Sequence, residues 1–164
     1  MTEVTRHFTA TTYIVHAGKV LLHLHRRQHL WLPPGGHIER DELPHEAAVR
    51  EIEEETGLRL RLHSEADARE LSVQMECGVV PQPAFILIED INPYHQHIDF
   101  TYFARIPDRW EGDESSMLGS DLGFSWFGLD ELEMEGVPTN VKVGAGRAIA
   151  FFDTAGRLIP GGRW

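Results

Sequence analysis

The stretch PHEAAVREIEEETG, positions 44–57, is closed at both ends and striped along its length. Pro44 suits the first helical position, where its missing N–H costs nothing, and Gly57 suits the left-handed residue just past the end. The sequence therefore predicts a helix from Pro44 to Thr56. At about 100° per position, Ala48, Val49, Ile52 and Thr56 share one face, which has to be covered by a sheet. Glu51, Glu54 and Glu55 share a second face beside it. Arg50, Glu46 and Glu53 fall roughly opposite, toward water.

The flanking sequence supplies the strands. HFTATTYIVHAGKVLLHLHRR reads as two strands around a turn at Ala17-Gly18. QHLWLPPGG reads as a loop, because Pro33-Pro34 and Gly35-Gly36 oppose regular structure. Leu58 to Leu62 alternates as a short strand, and the run from Glu65 to Val80 is ambiguous. PAFILIEDI and HIDFTYFARI are strands joined by NPYHQ; a long polar loop follows, then the strand FSWFGL and a short helical turn, DELEME. TNVKVGAGRAIAFFD forms a final helix that buries Val141, Ala148 and one of Phe151 and Phe152. Trp31 reads as a packing residue, and Trp126 and Phe127 alternate so that at least one is core. Strands mixed with two substantial helices make an α/β sandwich. No repeat or linker interrupts it, so residues 1–164 read as a single domain.

Composition narrows the function. A formal charge of −11, from 26 acidic and 15 basic residues, argues against long contacts with a nucleic-acid backbone. A small anionic ligand is compatible with it, since a bound cation reverses the local sign. The lone Cys77 cannot form an internal disulfide. The first residues lack an apolar signal core, and no run approaches a membrane span. The expectation is a cytoplasmic protein without a membrane partner.

The three carboxylates on one helix face repel one another and call for cations. Mg²⁺ takes oxygen ligands, commonly a few carboxylates together with substrate phosphates. The preceding Gly35-Gly36 lets backbone approach closely, so a carbonyl there could complete a metal shell. A run of glutamates by itself is more often a solvated face. The wider pattern changes that balance. From Gly36 the chain reads G-x5-E-x7-R-E-U-x-E-E-x-G-U, with U apolar, fixed at Gly36, Glu42, Arg50, Glu51, Ile52, Glu54, Glu55, Gly57 and Leu58. This resembles a complete Nudix box, and WLPPGGHIE, the preceding hairpin and SWFGLDEL extend the likeness over most of the chain.

The resemblance implies an α/β/α sandwich around a mixed β-sheet. It implies a Mg²⁺- or Mn²⁺-dependent pyrophosphohydrolase acting on a nucleoside diphosphate linked to X, or on a nucleoside triphosphate. Glu51, Glu54, Glu55 and the Gly36 carbonyl would then be metal ligands, with Arg50 paired to Glu42. The general base in such proteins is a box glutamate or one from a downstream loop; here Glu114 is the first downstream candidate, with Asp113 and Asp121 as rivals. A homodimer is compatible with the resemblance. Two other classes share the fold: a non-catalytic nucleotide sensor, which often loses box glutamates, and an isopentenyl diphosphate isomerase, which needs a catalytic cysteine in a context Cys77 does not have.

Other residues invite attention outside the box. His95, His97 and Asp99 alternate, so on a strand they point to one side. An H-x-H-x-D run can bind zinc, but a cleft-lining, substrate-contacting role for His97 is the better reading. Arg26 and Arg27, just before the Gly-Gly loop, are equally readable as phosphate contacts or as solvated hairpin residues.

Overall fold

The computed structural model describes residues 4–107 and 123–158, with side chains through 154. The chain forms two compact units, each drawn from separate segments. Met1–Thr12 with Pro34–Ala104 makes the first, and Tyr13–Pro33 with Arg105–Trp164 the second.

The first unit takes the opening half of β1 (Thr5–His16), then β4 (Gly35–His37), α1 (Pro44–Thr56), α2 (Glu65–Met75), β5 (Phe85–Asn92) and β6 (His95–Arg105), the last up to Ala104. Its strands run in the order β5-β6-β1, and β4 lies antiparallel on β1 with Thr9 opposite His37 and Ala10 opposite Gly36. Helix α1 has the predicted bounds. Its first N–H groups are partly met by Glu46, whose carboxylate accepts from the Leu43 N–H at 2.8 Å. It ends at Gly57, whose φ of 72° lets the Gly57 N–H reach the Glu53 carbonyl at 2.9 Å. The buried face is Ala47, Ala48, Ile52 and Thr56. Ala47 replaces the expected Val49, which is half-buried at the flank of the stripe.

Four local expectations change here. Leu58–Leu62 is not a strand: Leu58 and Leu62 are buried in alternation, but only Leu62 bridges, to Ala104. The ambiguous segment is helix α2, which buries only Ala68 and so carries no apolar stripe to read. The Pro-Gly loop contains β4, because its glycines fit where side chains would collide. A Cβ on Gly35 would stand 2.6 Å from the Ala10 carbonyl oxygen. The β5–β6 hairpin turns at Pro93-Tyr94, tighter than the expected five-residue connection.

The second unit continues β1 into β2 (Lys19–His25) through Ala17 and Gly18, with φ of 47° and 74°. Positive φ at both central residues matches the twist of a two-residue hairpin. β3 (Leu30–Leu32), also within the expected loop, and β7 (Phe124–Phe127) both pair antiparallel with β2. Val20, Leu21 and Leu22 are all buried, so β2 is covered on both faces. Of the aromatic pair, Phe127 is core and Trp126 half-buried; Trp31 packs on Phe127 with ring centroids 4.8 Å apart. A 3₁₀ turn (Glu131–Glu133) leads to α3 (Thr139–Leu158), which buries Val141, Ala148 and, of the two phenylalanines, Phe152. Among the described residues no helix is long and apolar enough to cross a membrane.

Gly144 explains a glycine inside α3. A Cβ there would come 2.6 Å from Cε2 of the buried Tyr13 ring. Gly144→Ala should therefore lose about 1–3 kcal/mol by overpacking, outweighing the ~1 kcal/mol that alanine gains in a helix. Urea unfolding measures the difference; a stabilised variant would show that the ring yields.

Candidate functional site

The site is built where the backbone of β4 meets the carboxylate face of α1. Arg50 was expected to face water, yet its side chain is only 25% exposed. Helical side chains lean toward the N-terminus, and that lean carries the guanidinium to the loop before α1. There it forks onto Glu42, with Nε to Oε1 at 2.9 Å and Nη2 to Oε2 at 3.0 Å. Nη1 also donates to Glu51 at 2.7 Å and to Glu54 at 3.1 Å, and Nη2 donates to the His37 carbonyl at 3.0 Å. Hydrogen bonding from Arg50 is the main reason that the Glu42 carboxyl is held below its ordinary range.

Glu55 stands in a different environment. Burial, and then the nearby charges of Glu51 and Glu54, push its carboxyl up to about 7, against the pull of the Gly35 N–H, which donates to it at 3.1 Å. Gly36 adjoins Glu51 so closely that a Cβ would lie 2.6 Å from the Glu51 carboxyl carbon. The glycines thus allow main chain and carboxylates to share one small volume. These donors are all hard oxygens, the set that suits an ion of the Mg²⁺ class.

The remaining candidates separate. Asp99 is 3% exposed and accepts from the hydroxyls of Thr9 and Thr11, both at 2.8 Å, and of Thr101 at 2.7 Å. Its oxygens are occupied, so the H-x-H-x-D run does not present three ligands. His97 instead meets His7 and His37, two residues with no pattern in sequence to link them. Its imidazole is held below the ordinary range by burial first, then by His37, His95 and His7. The only signal available was alternation: His7 precedes Thr9 and Thr11 on β1 as His97 precedes Asp99 on β6. Arg26 and Arg27 lie at the β2–β3 turn of the second unit, lining a surface recess with His23 and His25. Glu114, Asp113 and Asp121 lie outside the described residues.

The NUDIX domain matches residues 5–150, and the chain belongs to that family. A Nudix-family hydrolase from Clostridium perfringens, known from its crystal structure, is 33% identical, with 91% of this chain and 99% of that one covered at a TM-score of 0.74. A Nudix hydrolase from Nitrosomonas europaea shares the fold at 18% identity and a TM-score of 0.61, covering 92% of this chain and 90% of that one. Over 32 residues the chain is 59% identical to the m7GpppN-mRNA hydrolase NUDT17 of Xenopus laevis, a match spanning 20% of this chain and 11% of that protein. The fold is accordingly the α/β/α sandwich around a mixed sheet, and the protein is a hydrolase of a family acting on nucleoside diphosphate derivatives.

Arg50→Lys tests the fork, because an ammonium cannot reproduce a planar bidentate contact. It should cost about 1–3 kcal/mol in urea unfolding. Arg59→Lys removes only an exposed pair with Glu53 and should leave the midpoint unchanged. Equal midpoints for both variants would show that the Arg50 network holds nothing together.

Proposed function

We propose that the chain is a Mg²⁺- or Mn²⁺-dependent pyrophosphohydrolase of a nucleoside diphosphate linked to X, or of a nucleoside triphosphate. The observation that supports this best is the meeting of Glu51 and Glu55 with the Gly35-Gly36 backbone, with Arg50 tying Glu51 and the neighbouring Glu54 to Glu42. In this reading those three carboxylates and the Gly36 carbonyl hold the ion. When bound, the ion neutralises phosphate oxygens and makes water a better nucleophile.

The residues divide the remaining work. Arg50 orients Glu51 and Glu54, and the Gly35 N–H orients Glu55. Water oxygen forms one bond to phosphorus as the bridging P–O bond breaks, leaving a phosphate monoester on each fragment of a linked substrate; a triphosphate yields its monophosphate and pyrophosphate. The proton released by water passes to a carboxylate, either in the box or at Glu114. In this reading His97, half-buried beside His37 at the end of β4, also contacts the substrate.

The test is a panel of nucleoside triphosphates, sugar nucleotides, dinucleoside polyphosphates and a capped dinucleotide, with Mg²⁺ or Mn²⁺ and identification of each product. Ion-dependent release of a nucleotide fragment from one class is expected. Glu54→Gln and Glu55→Gln should fold normally and lose at least about 100-fold in turnover. Wild-type turnover in either variant would remove the box from the chemistry.

A further inference from the structure

We propose that His7, His37 and His97 form a second metal site, one that takes a divalent transition-metal ion of the zinc class through imidazole nitrogen. One ring nitrogen from each residue lies within 4.8 Å of the other two. Ligands at ~2.0 Å from a common tetrahedral ion stand about 3.3 Å apart, so each pair of donors has at most about 1.5 Å to close. The donors come from three strands, β1, β4 and β6, so the backbone already converges them.

The surroundings favour a ligand over a packing role. His7 and His37 are exposed and gain little from burial. Among the described residues no hydrogen bond or ion pair engages any of the three rings. The nearest carboxylate on the same face of β6, Asp99, spends its oxygens on three threonine hydroxyls and offers the imidazoles no direct partner. His95 stands edge-on to His7 and to His97, with centroids 4.6 and 5.0 Å away. Bringing this many imidazoles together is costly if they protonate and favourable if a cation sits among their lone pairs.

The donor chemistry separates this site from the box. Imidazole suits zinc, copper, nickel and cobalt, whereas carboxylate and carbonyl oxygens suit magnesium and manganese. Three histidines also leave one position of a tetrahedral ion open. The two sites are close in sequence, since His37 follows Gly36 and its carbonyl accepts from Arg50, so they have to be distinguished by experiment.

Co²⁺ is the probe, titrated into tag-free protein with Mg²⁺ in excess and followed by its visible d–d absorption. The expected result is one equivalent bound with the intense bands of a low-coordinate nitrogen site, displaced by Zn²⁺. His7→Gln, His37→Gln and His97→Gln should each weaken binding by at least about tenfold, while Glu54→Gln leaves it unchanged. Circular dichroism checks that each variant is folded, and the exposed His7 and His37 give two positions where the exchange is tolerated. Absence of stoichiometric Co²⁺ binding overturns the proposal. So does binding that survives all three histidine variants or that disappears with Glu54→Gln.

Discussion

One guanidinium organises the first unit. Arg50 joins the loop at Glu42, the end of β4 at the His37 carbonyl, and two carboxylates of its own helix. No single-point cation could meet all four groups, because the contact with Glu42 needs a flat fork with two parallel donors. The glutamates on α1 would repel one another in isolation. Arg50 offsets that repulsion at Glu51 and Glu54 and fixes where their oxygens stand. Glu55, beyond its reach, is buried beside the charges of Glu51 and Glu54, and its proton affinity rises although the Gly35 N–H pulls the other way.

Local signals in the sequence survived into the structure wherever local physics decides the conformation. Pro44 and Gly57 bracket α1 because each satisfies its own backbone requirement regardless of the rest of the chain. Ala17-Gly18 makes its turn for the same reason. Where distant segments decide, the signals failed. β4 exists because Thr9 to Thr11 offer it a partner, and nothing within LPPGGH reveals that. Leu58–Leu62 has the alternation of a strand and the burial that goes with it, but only Leu62 bridges to another strand. Arg50 shows the same limit at the level of a side chain. Its angle on the helical wheel points to water, while its length lets it turn back to Glu42.

The site was legible in unequal parts. The oxygen donors occupy one short run, so spacing and the family pattern place them together. The histidines lie on β1, β4 and β6, and only the pairing of those strands makes them neighbours. Glycine links both halves of the problem. At Gly35 and Gly36 the missing side chains admit the β1 backbone on one side and a carboxylate on the other.

Asp99 has a consequence for how the first unit assembles. Its charge is sheltered by three hydroxyls, two on β1 and one on its own strand. Sliding β1 past β6 by one residue would turn Thr9 and Thr11 to the opposite face of the sheet. The carboxylate would then be buried with a single donor, an arrangement far costlier than a lost apolar contact. Misaligned pairings are thereby penalised before they can consolidate. A buried carboxylate whose partners lie on two strands selects how those strands align.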